Sequence, residues 1–272
     1  MTCSCLRCNY RILIADRYAN QIQNIKRRHD STAPMRVDKL PLFILGPDFF
    51  PGFNGSLRVF EPRYKQMMDD CIMGSKPFGY ISADPNKGEL NGWSQPSEYG
   101  TLCYVSDYEE SGTNLIIRIE SSSVFHIEEV ILPVLSRSDE TERFPGIEEL
   151  MSAAGNPEGG KLYFTANVRI LDPPSIDYDD EVFSKFIENI QPVKHLLQLS
   201  SMYKNQVLDF NESNLVDVKE RSVFIWKICC SLCYDVNIQQ NLLSQDSFSK
   251  LIQSCENHIS KIVSRSENNS FR

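Results

Sequence analysis

No stretch of this 272-residue sequence approaches the roughly 18 consecutive apolar residues that a membrane-spanning helix needs, and its longest apolar runs are strand-sized. An integral membrane protein is not expected. Also missing is a phosphate-cradling Gly-x-x-x-x-Gly-Lys-[Ser/Thr] loop. The nearest string, Gly74-Ser75-Lys76-Pro77-Phe78-Gly79-Tyr80, has no lysine after its second glycine, which argues against nucleotide hydrolysis. No Gly-x-Ser-x-Gly elbow marks a serine nucleophile. Histidines are few, and no motif sets His29, His126, His195 or His258 beside a thiol or hydroxyl. The reading is therefore of a protein that is not an enzyme.

Basic charge is scarce as well: 28 Lys and Arg face 36 Asp and Glu, a net charge of −8. Residues 1–39 carry 8 basic and 3 acidic side chains, which leaves 20 basic and 33 acidic in the rest. The body thus repels phosphate, and nucleic-acid binding is not expected outside the short run Lys26, Arg27 and Arg28. What is plentiful is cysteine, nine in all, without the continuous apolar segment of a secretory signal before it. Reduced thiols and a cytoplasmic location follow as the expectation. Three readings of the arm, residues 1–36, stand open: a transit peptide, a segment before a later true start at Met35, or a metal-binding arm built on Cys3, Cys5 and Cys8 with His29. The lack of a second cysteine pair argues against the last, and no metal or other cofactor is expected.

With 41% hydrophobic and 24% charged residues, the composition is that of an ordinary folded chain. Periodicity changes class once along it. Residues 37–172 read as strands, at 40–45, 57–60, 78–81, 101–105, 115–120, 124–132 and 162–171, with a hairpin turn at 109–114. One helix interrupts them from Pro62, where Tyr64, Met67, Met68, Cys71 and Ile72 share a face. From about residue 178 the pattern is helical: Phe183, Phe186, Ile187 and Ile190, then Leu196, Leu197 and Leu199, then an apolar helix over 214–236 and a last amphipathic one over 247–263. Two polar insertions, 84–99 and 136–160, are long enough to carry specificity.

Several strings in this order resemble one family. They are Leu40-Pro41-Leu42-Phe43, Phe50-Pro51-Gly52, Val59-Phe60-Glu61-Pro62-Arg63-Tyr64 with Met67, Met68 and Cys71, then Tyr99-Gly100-Thr101 and Asn114-Leu115-Ile116-Ile117-Arg118. With Phe125-His126-Ile127 and Gln239-Gln240-Asn241-Leu242-Leu243, they look like the N-terminal, substrate-binding domain of Lon protease over residues 37–265. The form is a stand-alone one without ATPase or protease modules, closest to the Lon-type domains attached to RING fingers. Where the family usually has Pro-Leu-His before the central string, this chain has Arg58 in place of the histidine.

The resemblance implies an α+β fold: a PUA-like bent β-sheet or pseudo-barrel over 37–175, a helical bundle over 176–265, and a tail at 266–272. It also implies a non-enzymatic protein-recognition module that binds unfolded or client proteins. Two alternatives accompany it, an adaptor linking clients to a ubiquitin-ligase or protease component and an RNA-binding PUA-like protein.

Residue by residue, Phe49, Phe50 and Phe53 lie in a Pro/Gly-punctuated turn and are the candidate substrate-binding patch. In the central string, Phe60 is expected to end a strand in the core, Pro62 to start the helix and Tyr64 to pack beneath it. Glu61 or Arg63 would tie that helix to a neighbouring loop. Cys230 and Cys233 read as buried core thiols. Asp177, Asp179, Asp180 and Glu181 read as carboxylates that offset a helix dipole in preference to a cation site.

Overall fold

The computed structural model describes residues 35–47, 49–90, 92–134, 161–203, 208, 210 and 215–270, with 203 and 265–270 described through their backbone alone. Cys3, Cys5, Cys8, His29, the basic arm and the whole 136–160 insertion therefore lie outside the described residues.

Alternation of apolar side chains builds the first half. Strands β1 (Arg36–Leu45), β2 (Asn54–Val59), β3 (Phe78–Ser82), β6 (Tyr99–Ser111), β7 (Asn114–Ile131) and β8 (Thr165–Ile170) form one sheet in the order β2-β7-β6-β3-β1-β8. Since β8 also pairs with β7, five of the strands close into a barrel, and β2 extends from β7 as an outer strand. Every pairing is antiparallel except β1 with β3. A small hairpin, β4 (Glu89–Leu90) and β5 (Trp93–Ser94), occupies the first insertion.

The closure depends on β7. Sequence reading predicts two strands there, separated at Ser121-Ser122-Ser123; the structure has one strand of 18 residues. Along one edge it pairs with β6 throughout. Along the other, residues 115–120 pair with β2 and residues 125–131 with β8. The serines do not end the strand because β6 keeps pairing across them, Cys103 opposite Ser121 and Thr101 opposite Val124. Register shifts near Thr101, Val105 and Ile127 supply the local bend that a closed barrel requires.

Inside the barrel lie Leu40, Leu42, Ile81, Leu102, Phe125, Phe164 and Val168. Phe125 sits between two glycines. A Cβ at Gly79 would come within 2.6 Å of its ring and a Cβ at Gly100 within 2.4 Å, so only glycine fits at either place.

Helix α1 (Pro62–Gly74) opens with proline at its first turn, as predicted, and packs Tyr64, Met67, Met68 and Cys71 against the barrel. Its outer face is tied down too. Asp70 accepts from the Tyr163 hydroxyl at 2.6 Å and pairs with Lys161 at 2.8 Å, and Gln66 accepts from the Leu162 N–H at 2.9 Å.

The second half consists of α2 (Asp180–Ile190), a 3-10 turn at Gln191–Val193, α3 (Lys194–Tyr203), α4 (Val218–Leu232), α5 (Val236–Leu243) and α6 (Phe248–Ser270). Asp179 caps α2 by accepting from the Val182 N–H, whereas Asp177 accepts from the Ser249 N–H at the start of α6. The acidic cluster thus serves helix starts. Among the described residues, no group of three or more potential ligands is arranged to hold a metal ion. Sequence reading predicts a single helix over 214–236. Instead, Cys233 ends α4 and Asp235, accepting from the Ile238 N–H, starts α5. That break turns Gln239 and Gln240 toward the barrel.

Candidate protein-binding site

The central string folds into a rigid hub around Arg63. Its guanidinium carbon lies 4.3 Å from the centroid of the Tyr64 ring and 4.4 Å from that of Trp93, while its Nε donates to Glu61 Oε2 at 2.8 Å. A guanidinium held between two aromatic faces and a carboxylate has little freedom left. Trp93 comes from the β4–β5 hairpin, so Arg63 reaches a neighbouring loop by ring stacking, whereas its charge-assisted hydrogen bond, expected to make that tie, stays within the string at Glu61. Beneath Arg63, the Tyr64 hydroxyl donates to the Ile44 carbonyl at 2.9 Å and accepts the Ile44 N–H at 3.3 Å. The ring stacks on Phe43 at 4.2 Å. Burial pushes the Tyr64 phenol up to about 12, so it stays protonated as a structural pin.

Three large apolar side chains are exposed at residues adjoining this hub. Phe60, 61% exposed, precedes Glu61; Leu45 follows the Ile44 that Tyr64 binds; Leu90 is paired with Trp93 across the hairpin. Phe60 is a correction to sequence reading. With Leu57 and Val59 turned inward on β2, the next residue must point the other way, and it does not enter the core.

The predicted patch is corrected in the opposite sense. Phe49, Phe50 and Phe53 are 3%, 1% and 7% exposed. Phe49 packs on Phe53 at 4.3 Å and on Tyr80 at 4.0 Å, and Phe50 meets Trp226 of α4 at 6.0 Å. Their backbone is bolted down as well. The Ser121 hydroxyl accepts from the Phe53 N–H at 2.8 Å and donates to the Phe50 carbonyl at 2.6 Å, and Thr101 donates to the Phe49 carbonyl. The three rings fill the seam between barrel and helices and present no free face.

Among the described residues, the buried thiols are held away from their reactive form. Burial pushes the thiol of Cys71 up to about 12 and raises Cys103 and Cys229, which disfavours the nucleophilic thiolate. His126 lies against Tyr99 on the barrel, and burial lowers His258. Cys230 and Cys233 are buried, as sequence reading expects, with Cys230 inside α4 and Cys233 just past its end. A second group of exposed apolar residues, Leu196, Leu199 and Met202, follows one face of α3 at helical spacing.

Trp93 and the exposed Leu45 and Leu90 escaped sequence reading. A lone tryptophan in a polar insertion was the one available signal.

Comparison with known proteins places these features in context. Residues 39–261 match the family model described as the ATP-dependent protease La (LON) substrate-binding domain. Among solved structures, the N-terminal domain of Mycobacterium avium complex Lon protease aligns with a TM-score of 0.50 at 10% identity, covering 82% of this chain and 98% of that one. A Lon N-terminal domain protein from Xanthomonas campestris aligns with a TM-score of 0.48 at 17% identity, covering 84% and 98%. No curated protein matches the chain.

Proposed function

This chain belongs to the Lon protease substrate-binding domain family, and from that premise we propose that it recognises protein substrates without transforming them, using the apolar rim around Arg63. The observation that carries the reading is the exposure of Phe60, with Leu45 and Leu90, beside a hub whose side chains are locked. Each of the three adjoins a hub residue in sequence or in strand register, and we take them together as one apolar surface of the kind that binds protein. The acidic balance of the body favours protein over RNA as the ligand, since phosphate would be repelled.

An adaptor role is the second reading, favoured by the separate apolar face of α3. One surface would hold the client and the other a protease or ubiquitin-ligase component.

The test is binding of the full chain to a reduced, carboxymethylated model protein and to its native form. Capture of the unfolded form, weakened by Phe60→Ser and Leu90→Ser at unchanged melting temperature, is the expected result. Equal indifference to both forms overturns the substrate reading, and a single stable partner in a pull-down favours the adaptor.

A further inference from the structure

Strand β2 ends the sheet: β7 lies on one side of it, and among the described residues no strand pairs with the other side. Which of its backbone groups face that open side follows from two hydrogen-bonding observations. The Ser121 N–H bonds to the Phe53 carbonyl at 2.9 Å, so that pair is a bonded one and, by antiparallel alternation, so are Ile119 with Gly55, Ile117 with Leu57 and Leu115 with Val59. The β6–β7 hairpin agrees. It closes Ser111 against Asn114 across Gly112 and Thr113, which over residues 114–120 of β7 aims the backbone of the even-numbered residues toward β6 and that of the odd-numbered ones toward β2. The N–H and C=O groups of Asn54, Ser56 and Arg58 therefore point away from β7, and all three residues are exposed.

We propose that this open edge takes an extended segment of a protein substrate as an added, backbone-paired strand. The occupant's chemistry is dictated by the edge. A row of alternating donors and acceptors at strand spacing is matched by extended polypeptide and by nothing smaller. Three outward residues accommodate a segment of about five or six residues. Natural edges are commonly blunted by proline, lysine or an irregular bulge. Within β2 only Arg58 is charged, and there is no proline between Pro51 and Pro62. The added strand would run past Phe60, exposed at the end of β2, which gives one side chain of the segment an apolar partner. An unfolded chain offers such segments freely and a native one hides them, which gives a physical reason for preferring the unfolded form. The inference rests on the substrate-recognition reading above and names its mode.

The experiment uses the full chain with a reduced, carboxymethylated protein as probe and reads amide hydrogen exchange residue by residue. Binding is expected to slow exchange at Asn54, Ser56 and Arg58, whose amides face no strand among the described residues. Ser56→Pro removes an outward N–H that β7 does not use, and it is expected to weaken binding roughly tenfold while the chain stays folded. Binding without added protection at these three amides overturns strand addition and leaves substrate recognition standing. That measurement needs no variant, so it decides the matter even if Ser56→Pro does not fold. Full binding by a folded Ser56→Pro chain overturns strand addition equally. Protection that grows with protein concentration before any probe is added means that a second copy holds the edge, and this too overturns the proposal. Failure of the wild-type chain to bind the probe at all overturns the reading on which the proposal rests.

Discussion

One side chain on α5, Gln240, closes both backbone groups of Tyr99 on β6. Its Oε1 accepts the Tyr99 N–H at 2.8 Å, its Nε2 donates to the Tyr99 carbonyl at 2.8 Å, and the same oxygen takes the Glu98 N–H at 3.1 Å. Gln239 beside it is buried and bonds to Ser82 of β3 and to the Phe49 carbonyl. The helical part is thus fastened to the barrel by two consecutive amides, each satisfying groups that would otherwise be stranded at the seam.

Gln240→Ala is expected to destabilise the chain by about 1–3 kcal/mol, because two N–H groups and a carbonyl lose their partner together. Gln240→Glu keeps the acceptor and loses the donor to Tyr99, so its cost should be smaller. Urea unfolding of the three proteins checks the order; equal stability of all three would show that water replaces the amide freely.

Arg63→Lys should fail to restore what Arg63→Ala removes. An ammonium cannot lie flat between Tyr64 and Trp93 while bonding Glu61, so both variants are expected to lose about 1–2 kcal/mol. The two tryptophans make this readable, since a Trp226→Phe background leaves Trp93 as the sole indole reporter. Its fluorescence should shift toward the exposed state in both variants, and rescue by lysine would contradict the stacking account.

Phe53→Ser and Phe60→Ser should behave in opposite ways. The buried Phe53 leaves a cavity, with an expected loss of about 3–5 kcal/mol. The exposed Phe60 is expected to change stability by no more than about 0.5 kcal/mol, with its effect confined to binding. Thermal melts and binding isotherms on the same preparations separate the two. A Phe53→Ser protein of unchanged stability and weakened binding would return the aromatic turn to the surface.

Gly100→Ala overpacks the barrel against Phe125 and is expected to cost about 1–3 kcal/mol. Combining it with Phe125→Leu should give less than the sum of the two single losses, because the smaller side chain vacates the space the new methyl needs. Additive losses would place the strain elsewhere.

The stability of the α6 start should fall in acid. The Ser249 N–H bonded to the Asp177 carboxylate holds that group below the ordinary aspartate range, so the folded state binds its proton less readily than the unfolded chain does. The stabilisation is therefore complete above about pH 4 and is lost as pH drops through the lowered folded value. Asp177 is solvent-exposed, so the effect is small and salt-sensitive. Asp177→Asn should flatten this part of the pH dependence of melting, and an unchanged acid profile would remove the cap from the account.

What the sequence determined by itself was whatever local chemistry settles. Proline after a glutamate started α1, alternation marked the barrel strands, and the change from period 2 to period 3.6 divided the α+β chain in two. The Phe60-Glu61-Pro62-Arg63-Tyr64 string identified the family, because a strand end, a helix start and a buried tyrosine are all written within five residues. Even the outward turn of Phe60 was legible in the inward pair Leu57 and Val59. The tertiary structure decided everything that depends on partners distant along the chain. Ser121 and Trp226 draw the aromatic turn of Phe49, Phe50 and Phe53 into the seam, and no pattern within five residues can report a partner that far away. Continuous pairing with β6 carries β7 across three serines, and β8 returning to β7 closes the barrel. That closure engages both edges of β8 and leaves the outer edge of β2 without a strand among the described residues, since pairing is a property of which strands meet in space and alternation within one strand records only which face is buried.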